Sequence, residues 1–363
     1  MKSLEEILEK RILNFGPISI SDFMIDSNQH PKFGYYNNYF PFGKKGDFIT
    51  SPEISQMFGE LIGLWIIDFW KLIGEPNKFN ILELGPGSGV LIADVWRVIK
   101  QNDKCKNSCK KVLLFESSQK LKKIQKKNLK NSIGTENIEW INNLNTKNKT
   151  PFILLANEFF DALPIKQIQL TNDGWRERLI GYDSKKNLFY FTLSNRPTLL
   201  EKFIPKKLKG FRIGQIFEIP TQMIIILNEV FKQIEKSESS ILLFDYKKEK
   251  KVGNSLKSIK HHQIINPLES PGKSDLSVHI DFDLIKEMSK DYKINSHGPI
   301  AQNKFLINLG ILERARMLKK NATEHQNNQI NFGLDLLLNK KKMGDIFNVM
   351  SLTNTKIKKV AGF

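Results

Sequence analysis

Three alternating glycines after an apolar segment constrain the fold of this chain more than any other feature. The segment consists of a predicted strand, the glycines and a predicted helix: Asn80–Leu84, Gly85, Gly87, Gly89 and Val90–Lys100. A strand that turns through glycines into a helix brings bare backbone amides close to a ligand, and the helix N-terminus favours negative charge. The alternative is an ordinary strand-to-helix turn without a ligand.

The details of this motif disfavour two phosphate-binding motifs. A dinucleotide fingerprint has a small residue where Val90 stands, and a P-loop requires Gly-Lys-Ser/Thr. Glu83 instead stands two residues before the first glycine. This arrangement resembles class I S-adenosyl-L-methionine (SAM) methyltransferases, in which such an acid lies near the methionine end of the cofactor. The resemblance implies that Glu83, Gly85, Gly87 and Gly89 bind SAM.

Composition limits the class of protein. With 363 residues the chain can form roughly two domains, and 40% apolar and 26% charged residues are typical of globular proteins. No apolar run approaches the ~20 residues of a membrane span. The first residues resemble neither a secretory signal nor a mitochondrial transit peptide, and Cys105 and Cys109 are too few for a disulfide framework or a zinc site. We therefore expect a bacterial cytoplasmic protein without membrane insertion.

A formal net charge of +18 is compatible with nucleic-acid binding. Arginine, the preferred bidentate reader of bases and phosphates, is scarce, because lysine supplies most of the positive charge. The basic stretches Lys120–Lys130 and Lys247–Lys251 are interpreted as solvated faces that could attract an acidic partner protein. We expect a protein substrate and no clear nucleic-acid partner, and the oligomeric state stays open.

Strands and helices alternate along much of the chain, which predicts an α/β protein with a parallel sheet. The predicted sheet strands are Asn80–Leu84, Val112–Phe115, Ile138–Ile141, Phe152–Ala156, Ser240–Phe244, Tyr292–Ser296 and Ile346–Leu352. This order is similar to that of the Rossmann-like class I methyltransferase fold, with a seven-stranded, mostly parallel sheet and an antiparallel last strand. One continuous helix is predicted from Pro52 to Ile73, with Gly74 at its end.

The predicted domain organisation has three parts. Residues 1–50 form a helical and loop region that covers the cleft. Residues 51–164 and 237–363 form the SAM-binding core, with a helical insertion at about 303–342. Residues 165–236 contain an inserted β-meander and a helix, which we assign to the substrate.

Candidate ligand-binding residues follow the predicted strands, because an open α/β sheet binds its ligand beyond the carboxyl ends of the strands. Glu116 and Ser117 follow the second strand. A carboxylate at this place can accept hydrogen bonds from both ribose hydroxyls. The alternative is an exposed acid at a strand end.

Asn157, Glu158 and Asp161 follow the fourth strand, where nitrogen methyltransferases place the acceptor atom beside the sulfonium. Methyl transfer depends on alignment of the nucleophile with the methyl carbon. An arginine acceptor stays protonated in water, so carboxylates must orient the cation and accept its proton. Glu158 and Asp161 are therefore predicted catalytic residues together with Asn157, which is also predicted to contact the cofactor. The alternative is that both acids complement a helix dipole.

Two further groups of residues are candidates for a ligand site. Asp47, Thr50 and Ser51 precede a predicted helix and are predicted to contact the cofactor. Capping of that helix by Thr50 or Ser51 is an alternative that is compatible with this contact. His261, His262 and His279 have no carboxylate or cysteine partners at ligand spacing, so we predict no metal.

Three blocks of the sequence together resemble the MidA family. They are Gly46–Glu60, Glu83–Gly89 and Asn157–Pro164. Shorter similarities are His30-Pro31, Gly34–Tyr36, Asp245-Tyr246, Ser274–Leu276, His279, Asp281-Phe282 and Met343–Phe347. The resemblance extends over nearly the whole chain. The mitochondrial members of this family are complex I assembly-factor protein-arginine methyltransferases.

The resemblance implies SAM-dependent methyl transfer, in mitochondrial relatives to an arginine of a respiratory complex I subunit. The chain departs from the family pattern at Lys247–Lys250 and Ala301–Asn303. These departures affect the expected shape of the substrate-side wall of the site and not the cofactor site. Three alternatives stay open: a methyltransferase for RNA or a small molecule, a non-catalytic assembly factor that binds SAM, and a nicotinamide-linked oxidoreductase.

Overall fold

The computed structural model describes residues 3–39, 46, 50–144, 150–206, 208–260, 262–354 and 356–363. Within these ranges the α-helices are α1 (Leu4–Phe15), α2 (Ile20–Gln29), α3 (Tyr35–Asn38), α4 (Ser51–Ile54), α5 (Gln56–Leu72), α6 (Val90–Ile99), α7 (Asp103–Ser108), α8 (Gln119–Leu129), α9 (Thr221–Ile234), α10 (Phe282–Asp291), α11 (Gln302–Asn308), α12 (Ile311–Lys319), α13 (Glu324–Leu338) and α14 (Met343–Ile346). None of the described helices is both long and apolar enough to span a bilayer.

The β-strands in the same ranges are β1 (Ile18–Ser19), β2 (Phe79–Leu84), β3 (Cys109–Phe115), β4 (Ile138–Ile141), β5 (Phe152–Asn157), β6 (Lys166–Thr171), β7 (Gly174–Asp183), β8 (Leu188–Leu193), β9 (Ile216–Ile219), β10 (Ser240–Tyr246), β11 (Lys257–Lys260), β12 (Gln263–Ile265), β13 (Asp275–Ser277), β14 (Ile294–Ala301) and β15 (Phe347–Asn354). Two 3₁₀-helices cover Thr135–Asn137 and Leu199–Phe203.

A seven-stranded sheet with the order β14-β15-β10-β5-β2-β3-β4 lies at the centre of the fold. The five strands from β10 to β4 are parallel. The last strand, β15, runs antiparallel to both of its neighbours, β10 and β14. The predicted α/β class, the mostly parallel sheet and the antiparallel last strand are therefore confirmed.

Helices cover both faces of this sheet, which explains why its central strands β2, β5 and β10 are mostly apolar and buried. Successive side chains of β2 point to opposite faces. Ile81 packs into the core beneath α5 and α6, whereas Leu82 and Leu84 pack into the core beneath α9 and α10. Burial on both sides fixes the position of the strand and thereby of the glycines that follow it.

The predicted meander is present as β6, β7 and β8, and it belongs to a second sheet. Two further strands of that sheet, β1 and β9, were not predicted from the sequence. The N-terminal β1 pairs with β7 through Ile18 and Ile180, and β9 pairs with β6. Leu8 and Phe23 of the N-terminal helices share a core with residues of this insertion. The proposed domain boundaries stay a prediction.

The continuous helix predicted from Pro52 to Ile73 is wrong, because the chain forms two helices that meet at Ser55. Ser55 has an extended backbone with φ −157° and ψ 131°, and its hydroxyl accepts a hydrogen bond from the Met57 amide at 3.3 Å. A serine hydroxyl that satisfies a free amide favours the N-cap over the helix interior. α4 therefore has its own direction at the edge of the cleft.

α5 and α6 pack closely because glycines of α5 face α6. A Cβ atom at Gly59 would lie 2.5 Å from Cβ of Asp94, and one at Gly63 would lie 2.8 Å from Cβ of Val98 and 2.9 Å from the Val95 carbonyl oxygen. α6 begins directly after the glycine turn, so this packing holds the turn in place.

We expect Gly63→Ala to lower the free energy of unfolding by about 1–2 kcal/mol. The added methyl group overpacks the α5–α6 contact against a backbone oxygen at a cost of up to about 3 kcal/mol, and the better helix propensity of alanine offsets about 1 kcal/mol of this loss. Leu64→Ala is the control, since Leu64 is 51% exposed on the same helix. Urea unfolding followed by circular dichroism measures both effects, and equal midpoints for the two variants would contradict the expectation.

Candidate active site

The glycine turn between β2 and α6 adopts a backbone that only glycine takes without strain. Gly85, Gly87 and Gly89 have φ values of 62°, 54° and 85°. The Gly85 amide donates to the Phe115 carbonyl at 3.0 Å, which ties the turn to the end of β3. A Cβ atom at Gly85 would lie 2.8 Å from the Phe159 ring. The turn therefore brings backbone, and not side chains, to the ligand side of the sheet.

A cleft of about 990 Å³, partly open to solvent, lies beyond the carboxyl ends of β2, β3 and β5. The predicted residues that line it are Thr50, Glu83, Gly85, Gly87, Glu116, Ser117, Asn157 and Glu158. Ser51, Gly89 and Asp161 are described by the structure but do not line the cleft, and Asp47 lies outside the described residues.

Two buried acceptor atoms in this cleft lack hydrogen-bond partners among the described residues. They are Oε2 of Glu83 and Oδ1 of Asn157. Glu83 is 3% exposed, and burial raises its pKa to about 8. Because buried polar atoms are normally hydrogen-bonded, these two atoms indicate a ligand with N–H donors between the ends of β2 and β5.

Glu116 is fixed at the other side of the glycine turn. Its Oε1 accepts from the Ser118 amide at 2.7 Å, and its Oε2 accepts from Nε2 of Gln125 at 3.2 Å. The same Nε2 of Gln125 donates to the Gly87 carbonyl at 2.9 Å. Each carboxylate oxygen keeps a second lone pair for a ligand hydroxyl. The alternative of an exposed strand-end acid is wrong, since Glu116 is only 8% exposed.

Sequence analysis missed Gln125 as a residue of the site. Leu121, Gln125 and Leu129 are spaced four residues apart on α8 and are all buried. Their spacing places Gln125 on the inward face of the helix, so this pattern could have identified it. A second missed contact joins α4 to the glycine turn, where the Ser88 hydroxyl donates to Oε1 of Glu53 at 2.5 Å.

Thr50 occupies the N-cap position of α4, but its side chain forms no capping hydrogen bond. The Ser51 amide instead donates to Oε1 of Glu158 at 3.3 Å, and the Ser51 hydroxyl donates to Oε1 of Gln302 at 3.2 Å. Ser51 therefore positions Glu158 from behind the cleft. A capping role for the Thr50 hydroxyl is wrong.

Glu158 directly follows β5 in a strained conformation. Its φ is +50°, which is uncommon for a residue with a side chain. Nδ2 of Asn157 donates to its Oε1 at 3.1 Å. Burial and then the negative charge of Asp245 raise the pKa of Glu158 to about 8. Residues 158–165 contain no helix, so the alternative that Glu158 and Asp161 complement a helix dipole is wrong.

Asp161 belongs to a buried group of acids next to the cleft. Oδ2 of Asp245 accepts from the amides of Phe160 and Asp161 at 3.1 and 3.3 Å, which shapes the turn after β5. Tyr36 donates its hydroxyl to Oδ1 of Asp275 at 2.7 Å. Burial, followed by the charges of Asp245 and Asp275, raises the pKa of Asp161 well above its usual range.

The histidines considered for metal binding lie in different surroundings. The ring of His279 stacks on that of Tyr246, with 6.1 Å between the centroids. His262 is exposed, and His261 lies outside the described residues. Among the described residues, no group of three or more potential metal ligands is found.

Glu83→Gln is expected to stabilise the fold at high pH. Burial raises the pKa of Glu83 from 4.5 to about 8, so the folded state binds a proton that the unfolded state has lost, and the wild type loses stability as the pH rises through this window. We expect the variant to exceed the wild type by at least about 1 kcal/mol at pH 8 and to match it near pH 4.5. Urea unfolding at both pH values measures this, with the exposed Glu139→Gln as control. If the free energy of unfolding differed between the variant and the wild type by the same amount at both pH values, the expectation would be contradicted.

Comparisons with known proteins identify the family. The model of the family described as "Putative S-adenosyl-L-methionine-dependent methyltransferase" matches residues 61–300. The Danio rerio protein named "Protein arginine methyltransferase NDUFAF7, mitochondrial" is 34% identical over 98% of this chain and 87% of its own length. The Homo sapiens protein of that name is 34% identical over 94% of this chain and 81% of its own length.

Solved structures share the fold. One is the crystal structure of a COG1565 superfamily member and likely methyl transferase from Burkholderia thailandensis, bound to S-adenosyl-homocysteine. It superimposes on this chain with a TM-score of 0.86 and 20% sequence identity, and the match covers 99% of this chain and 94% of the other chain. A native structure of a COG1565 superfamily protein from the same organism has a TM-score of 0.83 with the same coverage. Since the family model covers more than half of the chain and relatives above 30% identity cover nearly all of it, the chain belongs to this family of SAM-dependent methyltransferases.

Proposed function

We propose that this methyltransferase modifies a protein nitrogen and that its acceptor is an arginine guanidinium. The printed names of its relatives as protein arginine methyltransferases support this acceptor. The single observation that carries the proposal is the carboxylate of Glu158, which is half-buried, strained and directed by two hydrogen bonds at the edge of the cleft. A cationic acceptor is the chemistry that such a carboxylate binds.

The residues of the cleft fit SAM. Oε2 of Glu83 and Oδ1 of Asn157 are unpartnered acceptors that suit the ammonium group of its methionine part. Glu116 suits the two ribose hydroxyls, and the amides of the turn at Gly85 and Gly87 suit a close approach by the ligand. When bound, the cofactor supplies a methyl group activated by the sulfonium.

Glu158 is proposed to orient the guanidinium and to accept its proton. The acceptor nitrogen forms a bond to the methyl carbon while the sulfur–carbon bond breaks, the sulfur keeps the bonding electrons, and the proton of the nitrogen passes to Glu158. A pKa of about 8 suits this task, because a general base works best when its pKa lies near the working pH. The hydrogen bonds from Ser51 and Asn157 both reach Oε1, so Oε2 can face the acceptor.

The acids near Glu158 favour a cationic acceptor over RNA. Asp245 interacts electrostatically with Glu158, and Asp161 interacts with Glu158, Asp245 and Asp275. Burial favours the protonated form of Asp161 and Asp245, and a guanidinium, unlike a phosphate, stabilises their ionised form. The resemblance to the MidA family favours a subunit of respiratory complex I as the protein substrate. A bacterial cytoplasmic location stays part of this proposal.

Glu116→Gln should weaken SAM binding by about 10–100-fold, because hydrogen bonds to a charged group contribute about 1.5–3 kcal/mol. Titration calorimetry with SAM measures the affinity. Glu139→Gln is the matched control, since Glu139 is exposed on the adjacent strand β4. Equal affinities for both variants would show that Glu116 does not hold the nucleoside.

Glu158→Gln should keep SAM affinity within about threefold and lower methyl transfer by at least about 100-fold, as expected when a general base is lost. The assay incubates the purified protein with radiolabelled SAM and a lysate of cells that lack its gene. Protease or nuclease treatment then separates the possible substrates, and hydrolysis of labelled protein identifies the methylated residue.

Label in methylarginine, dependent on Glu158, supports the proposed function. Label that only nuclease removes would overturn the protein substrate, and label in another residue would overturn arginine. Transfer by Glu158→Gln at the wild-type rate would remove Glu158 from the mechanism. Glu139→Gln again serves as control, with full transfer expected.

A further inference from the structure

The side chain of Gln302 joins two helices behind the cleft. Gln302 begins α11 directly after Ala301, which pairs with Asn348 at the edge of the central sheet. Its Oε1 accepts a hydrogen bond from the Ser51 hydroxyl of α4 at 3.2 Å, and its Nε2 donates to the Leu337 carbonyl of α13 at 3.2 Å. Gln302 is fully buried and does not line the cleft. It can therefore act on a ligand in the cleft only through other residues.

α13 lies directly behind α4. A Cβ atom at Gly333 of α13 would lie only 3.2 Å from Cβ of Ser55, at the end of α4. The Ser51 hydroxyl also lies 4.0 Å from Sδ of Met343, at the start of α14. Because a thioether sulfur is a weak acceptor, the bond to Gln302 is the stronger of these two contacts. The helices between β14 and β15 thus hold α4 in place.

α4 carries the backbone amide that reaches Glu158. The Ser51 amide donates to Oε1 of Glu158 at 3.3 Å, and Nδ2 of Asn157 donates to the same oxygen at 3.1 Å. Because Asn157 is the chain neighbour of Glu158, it is the Ser51 bond that ties the carboxylate to a different element. Glu158 has a φ of +50°, and a strained residue keeps its conformation when the surrounding structure enforces it. Contacts therefore run from α13 through Gln302 and Ser51 to this carboxylate.

We propose that Gln302 is a positioning residue for methyl transfer: by binding the Ser51 hydroxyl to α13, it keeps the Ser51 amide on Glu158 and the carboxylate in the orientation that the acceptor needs. The inference rests on the proposed function in treating Glu158 as the base. It assigns a part in the reaction to the helices α11 to α14, although none of their described residues lines the cleft.

Gln302→Met keeps the length of the side chain and removes both of its hydrogen bonds. At saturating SAM, we expect methyl transfer to protein in the lysate to fall at least about tenfold, because a displacement of ~1 Å at the reacting groups can cost about 100-fold. SAM affinity, measured by titration calorimetry, should stay within about threefold, since the loss concerns a step after SAM binding. A loss of SAM affinity as large as the loss of transfer would overturn the inference.

The matched control is Gln326→Met. Gln326 supports the other end of α13, where its Oε1 accepts from the Thr323 amide at 2.8 Å, about 16 Å along the helix from Leu337. This variant makes the same substitution and loosens the same helix without touching Ser51, so it should transfer at the wild-type rate. An equal loss in both variants would overturn the inference. Ser51→Ala removes only the hydroxyl, and a similar loss of transfer is expected from it if Gln302→Met fails to fold.

A nuclear magnetic resonance measurement that needs no acceptor separates this inference from the proposed function. At pH 9, above the pKa of about 8 of Glu158, the amide resonance of Ser51 should shift when Glu158→Gln replaces its charged acceptor. In the Gln302→Met background the same replacement should shift this resonance much less, because the hydrogen bond is already weakened. In the Gln326→Met background the full shift should remain.

The two proposals can fail separately. If the wild type methylated no protein and the shift was nevertheless lost in the Gln302→Met background, the proposed function would fail and the positioning of Glu158 by Gln302 would stand. If transfer occurred and the full shift remained in that background, the inference would fail alone. Transfer by Gln302→Met at the wild-type rate would likewise overturn the inference.

Discussion

The parallel pairing of β2, β3, β5 and β10 is the constraint on which the rest of the site depends. Parallel neighbours end at the same edge of a sheet, and each of these strands carries an acid at or next to its carboxyl end: Glu83, Glu116, Glu158 and Asp245. No single segment contains the site. Acids far apart in sequence become neighbours because the backbone hydrogen bonds between the strands require it.

This concentration of acids is unfavourable for the fold. Burial raises the pKa of Glu83 and Glu158 to about 8 and that of Asp245 to about 7, so each carboxyl would be more stable with its proton or in water. The positive φ of Glu158 adds backbone strain at the same place. Such features persist when the surrounding structure enforces them and when a ligand relieves them. Here the hydrophobic cores on the two faces of the sheet hold the strands, and thereby these acids, in place.

Local patterns in the sequence were sufficient to predict the strands of the central sheet, the glycine turn and the acids that follow the strands. Apolar runs, glycine spacing and strand ends are properties of short segments. The break at Ser55 was missed because the apolar periodicity continues across it, while one hydroxyl redirects the backbone. The position of Asp161 also could not be predicted, since Asp245, 84 residues away, holds the turn through its amides. The pairing of β1 with β7 likewise depends on segments that are far apart in the sequence.

Gln125 gives α8 a role in the geometry of the whole cleft. One amide nitrogen bonds both the glycine turn, through the Gly87 carbonyl, and the carboxylate of Glu116. The amide oxygen is in turn held by the indole of Trp140 at 2.8 Å. The spacing between the glycine turn and the Glu116 carboxylate is thus set by the register of a single helix. Inserting one residue in α8 ahead of Gln125 would rotate that amide by about 100° and break both contacts together.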